Sequence, residues 1–324
     1  MFPFKGGDRA ALLARPRGDQ RPRNFAKLAS LLVQVHICQD LNDAKDQAMF
    51  DQLCRIDRLR HAWERVRRNG AATGGDGQTA TTFATDVDAR LAGLRTDLLA
   101  GLYRPGPLRE VPMRRPDGRT RLLRIPGIVD RVVQTACQNL LSERLDARMS
   151  SESFGYRPAR SVDQALARFR TLAVGQRWVF DADIEAFFDR VPHERLLDDL
   201  GIWLSDGHIL ALVDLWLRGF GPSRGLAQGS PISPILANIF LHPLDLALVR
   251  AKIPFVRYAD DFVALAPDRS AAERAQSVAS AALLRRGLLL HPAKTRIVRL
   301  ADGLSFLGKF IAIPAEKPRR PRIA

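Results

Sequence analysis

Two neighbouring aspartates, Asp260 and Asp261, sit between short β-prone apolar runs in FVRYADDFVALA, residues 255–266. That pattern reads as a hairpin with the acids at its tip. Like charges held side by side are costly unless a cation neutralises them. The hard-oxygen donor set suits Mg²⁺, or Mn²⁺ in its place. An exposed Asp-Asp turn is the bland alternative for these two residues alone. A second segment shifts that balance. WVFDADIEAFFD, residues 178–189, places Asp181 and Asp183 in an otherwise core-like strand, where alternation puts both on one face. Asp181 is read as an edge or cap residue and Asp183 as a third metal carboxylate. Three such acids can hold two divalent ions, a set suited to phosphoryl transfer at a nucleotide.

The elements around these acids are legible from periodicity. Residues 25–69 read as helices, with Leu53, Ile56, Leu59, Trp63 and Val66 on one stripe. Arg55, Arg58, Arg60, Arg65, Arg67 and Arg68 border that stripe, as a solvated face or as phosphate contacts. Gly70–Gly77 is a loop, and residues 79–100 form one amphipathic helix. Arg104–Pro126 reads as a hairpin turning at Pro116-Asp117-Gly118, followed by a helix over 128–148. The second half reads as a strand at Trp178–Ile184, helix over 193–219 and a helix over Gln228–Arg250 capped by Ser230 with Pro231 in its first turn. A helix over 270–287 and a hairpin at Leu304–Ile311 complete the reading. Mixed helices and antiparallel hairpins give an α+β fold, a mostly antiparallel sheet backed by helices.

Composition bounds the partners. The 324 residues carry 50 Lys+Arg against 35 Asp+Glu, a net charge of +15, which favours a nucleic-acid partner. Cys38, Cys54 and Cys137 are scattered, with no CxxC pair, so neither a zinc site nor a disulfide framework is expected. The six histidines form no ligand cluster and read as structural. No membrane-spanning stretch or secretory signal is visible, so a cytoplasmic protein without a membrane partner is expected.

At Tyr258-Ala259-Asp260-Asp261 the chain resembles the YxDD box of reverse transcriptases, and Asp183 matches that family's first palm aspartate. Between them GLAQGSPISPILANIF (225–240) is similar to the group II intron type of motif. RPDGRTRLLRIP (115–126), DRVVQ (130–134), SFGYRPARS (153–161), HPAKTRI (291–297) and SFLGKF (305–310) agree in order and spacing. The resemblance covers roughly residues 55–311. It implies a right-hand polymerase fold and RNA-directed DNA synthesis on Asp183, Asp260, Asp261 and two Mg²⁺ ions. The implied division is a basic flexible arm (1–24), an N-terminal helical segment (25–100), fingers (101–175), a palm (176–311) and a basic tail (312–324), with the thumb absent or truncated. Implied partners are an RNA template, a DNA or RNA primer and dNTPs. A CRISPR integrase or another protein could supply a thumb-like grip.

The resemblance also assigns individual roles. Gln228 and Gly229 line the nascent base pair, Gly229 by letting the template approach. Phe188 packs against the incoming sugar and disfavours a 2′-hydroxyl, whereas Phe187 is core. Arg115 and Arg121 clamp the triphosphate. Lys294 is the general acid for pyrophosphate, and Tyr258 supports the primer. Arg131, Arg157 and Arg160 hold template phosphates or brace the fingers, with surface salt bridges the equal alternative. Arg124 departs from the pattern, since glycine usually precedes Ile-Pro there. A binding protein with a vestigial palm, acting as an RNA chaperone or recruitment subunit, is the alternative from another class.

Overall fold

The computed structural model describes residues 49–69, 73–114, 118 and 120–314. The basic arm, the start of the N-terminal helical segment, Cys38, Arg115 and the basic residues of the tail lie outside the described residues.

The centre is a four-stranded antiparallel sheet in the order β4-β5-β3-β6: β3 Trp178–Ala182, β4 Phe255–Tyr258, β5 Asp261–Ala266 and β6 Arg296–Arg299. One face carries Phe180, Ala182, Phe255, Phe262 and Ala264 into the main apolar core. There they meet the long helix α9 (Ser233–Arg250) and α10 (Arg269–Leu284), whose alanines Ala275, Ala279 and Ala282 allow close approach. Val179, Val256, Val263 and Leu265 face the other way, as strand alternation requires. That second face is covered at one end by α5 (Val162–Leu172) and the hairpin β7 (Leu304–Phe306) and β8 (Lys309–Ile311).

A separate hairpin, β1 (Arg109–Arg114) and β2 (Thr120–Ile125), pairs antiparallel from Arg109↔Ile125 to Arg114↔Thr120, as the turn signal predicts. It leads into α4 (Ile128–Leu145), which packs on α1 (Ile56–Arg68). Of the predicted stripe, Leu53, Leu59, Trp63 and Val66 are buried, whereas Ile56, the first residue of the helix, is 40% exposed.

Several boundaries differ from the sequence reading. Residues 79–100 form two helices, α2 (Ala80–Ala84) and α3 (Val87–Leu99), because Asp86 lies outside the helical region at φ −149°. Residues 193–219 likewise form α7 (His193–Trp203) and α8 (Gly207–Phe220), since Asp206 accepts from the amides of His208 and Ile209 and starts a new helix. The helix expected from Gln228 begins only at Ser233, with Pro234 in its first turn. Gly229 stands at φ +116°, and the Ser230 hydroxyl bonds Gln134 Oε1 on α4 at 2.7 Å instead of capping. Three elements the periodicity did not reveal are α5, opened by a capping box between Ser161 and Gln164, the short helix α6 (Phe187–Arg190) and β6.

Candidate active site

The strand registers decide which acids meet. Asp181 pairs with Val263 and Ala182 with Phe262, so the next step of the ladder faces Asp183 with Asp261. Directly opposed residues in an antiparallel pair lie about 5 Å apart at Cα. Across the hairpin, Tyr258 pairs with Asp261, leaving Ala259-Asp260 as a two-residue loop. Ala259 takes φ +58°, a conformation normally left to glycine. The turn is short enough to put Asp260 at its tip and Asp261 on the last rung of the sheet.

The electrostatics follow from that convergence. Asp261 is exposed by surface area, yet its carboxyl is pushed up to about 6. The causes are loss of hydration in the cleft, then the charges of Asp260, Asp183 and Asp181, with Lys294 opposing them. Asp183 carries a counter-ion of its own: Lys294 Nζ stands 2.9 Å from Asp183 Oδ2. Asp181 is not the edge or cap residue expected: it lies on an inner strand, paired with Val263 and Arg296, and its carboxylate is ion-paired with Arg296 Nε at 3.0 Å. Among the described residues no three acidic, histidine or cysteine side chains are gathered into a ready-made cation cage. The donor set fits a hard divalent ion nonetheless, because the negative charge on Asp261 is under-compensated by protein cations.

A cleft of about 440 Å³ opens beside the acids. Asp183, Asp260, Lys294, Arg121, Phe188 and Gln228 all line it, together with His291. The Arg121 guanidinium lies over the Phe188 ring at 5.9 Å. Phe188 is 7% exposed and Phe187 2%, edge-on to one another, so the first borders the cleft while the second belongs to the core. Gln228 Oε1 is buried and accepts no hydrogen bond. Tyr258, half-buried, ends the β4 ladder beside Asp261.

Arg124, which the sequence left without an account, ties the hairpin to this cleft. Its amide donates to Gln228 O at 2.7 Å, its Nη1 to Phe220 O at 2.8 Å and its Nε to Glu110 at 3.2 Å. The bare Cα of Gly229 meets the same strand: a Cβ there would lie 3.0 Å from Arg124 O. Close approach at Gly229 is therefore made at least in part by the fingers backbone.

Other arginines resolve toward structure. Arg157 is buried and bonds Asp146 and the carbonyls of Ser150 and Ser153. Arg160 donates to Ser151 O and stacks over Phe154. Burial depresses the Arg131 guanidinium. All six arginines around the α1 stripe have intramolecular partners, including Arg58–Glu143 and Arg60–Asp88. Of the histidines, His193 is buried with its Nε2 2.7 Å from Gly225 O, whereas His291 borders the cleft, a placement the structural reading missed.

An antiparallel sheet carrying paired acids on a hairpin turn and a third on the adjacent strand, with a separate two-stranded hairpin beside it, defines the palm and fingers of a right-hand polymerase. The family model for reverse transcriptase, RNA-dependent DNA polymerase, matches residues 113–311. The chain belongs to that family, and with it to the RNA-directed DNA polymerases. Protein YkfC of Escherichia coli is 30% identical over 289 residues, 74% of this chain and 76% of YkfC. The group II intron-encoded protein LtrA of Lactococcus lactis is 29% identical over 220 residues, 64% of this chain and 36% of LtrA. The chain thus spans three quarters of one relative and about a third of the other. Apo telomerase of Candida tropicalis shares the fold, with a TM-score of 0.50 at 15% identity over 64% of this chain and 53% of the telomerase chain. No helix among the described residues is long and apolar enough to cross a membrane.

Proposed function

We propose that residues 101–175 act as fingers and 176–311 as a palm that extends a primer 3′-hydroxyl on an RNA template. Asp183, Asp260 and Asp261 hold Mg²⁺, with Mn²⁺ able to replace it. The bound ions would supply Lewis acidity at the attacking and leaving oxygens of phosphoryl transfer. The protein's own work is placement. Arg121, with Arg115 beside the hairpin turn, orients the triphosphate. Phe188 walls the sugar and disfavours a 2′-hydroxyl. Gln228 and Gly229 border the nascent base pair, and Tyr258 supports the primer end. Lys294 balances the charge of Asp183 before substrate arrives and gives a proton from Nζ to the departing pyrophosphate. A protein partner, a CRISPR integrase or another, rests on the sequence resemblance alone, and gel filtration of the mixed proteins tests it.

The observation that carries this reading is the convergence of Asp183 and Asp261 in one strand register, with Asp260 at the turn and the Asp261 carboxyl raised by its acidic neighbours. Primer extension on poly(rA)/oligo(dT), with and without Mg²⁺, tests it. Asp260→Ala and Asp261→Asn are each expected to lose about 10²- to 10³-fold or more of synthesis, the scale of removing one preorganised electrostatic group, while remaining folded. Wild-type synthesis by either variant refutes the assignment.

A further inference from the structure

Arg257 directly precedes the Tyr258–Asp261 turn. Its side chain is 1% exposed and that of its partner, Asp245, is fully buried. Taking two charges out of water returns little net stability, and an apolar pair of similar volume packs about as well. What sets this pair apart is where its remaining donor goes. Nε and Nη2 bind both carboxylate oxygens of Asp245 at 2.7 and 2.6 Å. Nη1 reaches Asn238 Oδ1 and the carbonyl of Ala259, each at 2.9 Å. Ala259 is the turn residue with positive φ.

Asn238 and Asp245 lie seven residues apart on α9, two turns along one face. Asn238 also donates from Nδ2 to Gly155 O at 2.8 Å. Gly155 in turn presses on the turn: a Cβ there would collide with the backbone nitrogen of Ala259 and lie 2.9 Å from the Tyr258 carbonyl carbon. The same segment pairs with the free edge of β4, through Arg257 N to Glu152 O at 2.9 Å and Phe154 N to Arg257 O at 2.8 Å. The turn that carries Asp260 and Asp261 is thus held by a helix beneath it and a loop against it, and one guanidinium joins the two.

We propose that Arg257 is a positioning residue: the buried Asp245–Arg257–Asn238 network fixes the Ala259 carbonyl and thereby aims the carboxylates of Asp260 and Asp261. This rests on the reading that those two acids serve polymerisation. A merely structural role predicts loss of stability when the network is cut; a positioning role predicts loss of rate in a folded protein, because misplacement of about 1 Å can cost 10²-fold.

The test is the double variant Arg257→Met/Asp245→Leu, which removes both charges at similar volume, in the full chain. Its melting temperature is expected to stay within a few degrees of wild type, and KM for primed RNA template within about twofold, with kcat reduced about tenfold or more. In the metal-free protein, hydrogen–deuterium exchange of a peptide spanning residues 255–263 is expected to quicken. A folded double variant that keeps either the wild-type kcat or the wild-type exchange at the turn overturns the proposal. Should the double variant fail to fold, Asn238→Ala, which leaves the ion pair intact, is judged by the same two criteria. A wild-type protein inactive in primer extension would count against the polymerase reading instead, and the exchange measurement then decides the positioning role alone.

Discussion

Asp261 concentrates the charge conflict that the proposed metal site must hold. Its carboxyl is pushed up to about 6 in the folded protein by lost hydration and by Asp260, Asp183 and Asp181. A carboxyl raised above its unfolded value stabilises the fold while protonated. That contribution is complete below about pH 4 and is lost as pH rises through about 6. In EDTA, wild type is therefore expected to lose more melting temperature between pH 5 and pH 7.5 than Asp261→Asn. Added MgCl₂ is expected to raise the wild-type melting temperature more at pH 7.5 than at pH 5 and to do little for the variant. Differential scanning fluorimetry at the two pH values measures both, and an equal response of the two proteins would contradict the acid cluster. Lys294 shows the protein's partial answer to the same conflict, an ammonium 2.9 Å from Asp183 that offsets one charge of the set.

At the scale of elements, the Tyr258–Asp261 turn depends on its neighbours more than on its own sequence. Ala259 adopts φ +58° without being glycine, a strain of order 1–3 kcal/mol that surrounding contacts must overcome. Gly155 is one such contact, and only a residue without a Cβ fits against the Ala259 backbone. Gly155→Ala is expected to displace the turn or the loop, costing about 1–3 kcal/mol as an overpacking change. It should also lower primer extension out of proportion to that loss. Urea denaturation beside steady-state kinetics separates the effects, and a variant matching wild type in both would remove Gly155 from the brace. The fingers hairpin shows the same dependence: Arg124 holds β2 to Gln228 and Phe220, so the floor of the cleft is joined to the hairpin by hydrogen bonds that its own residues do not announce.

Across the whole molecule, an excess of 15 positive charges implies binding that depends on phosphate neutralisation. Each phosphate contact to a duplex contributes about −0.9 to the slope of log K against log salt, and about −0.7 to a single strand. Affinity for an RNA–DNA hybrid is expected to fall by about 10³-fold or more between 50 and 200 mM KCl if six or more phosphates are engaged. Fluorescence anisotropy over a salt series measures this, and a slope near zero would exclude an electrostatic grip. The arginines around the α1 stripe are poor candidates for it, since each already has an intramolecular partner.

Much of this architecture was legible from residue order. The Tyr258–Asp261 hairpin, the fingers hairpin and most of the α1 stripe follow from alternation, helical spacing and turn residues, all local signals of two to seven residues. The acids proposed to hold metal stood out too, because charge inside an apolar strand is costly enough to demand a reason. Boundaries set by a distant partner were not. Ser230 looked like a helix cap until Gln134, ninety-six residues away, claimed its hydroxyl. No local pattern singled out Arg257 or Asp245, and Arg124 was an unexplained departure. Residue types and short-range periods therefore determined which groups could do chemistry and which elements carry them. Only the tertiary structure decided that Asp183 faces Asp261, that Lys294 rests on Asp183 and that a buried guanidinium stands under the turn. Those facts are set by strand register and by packing between residues 12 to 111 positions apart, and nothing in a local pattern encodes which of many possible partners a side chain will meet.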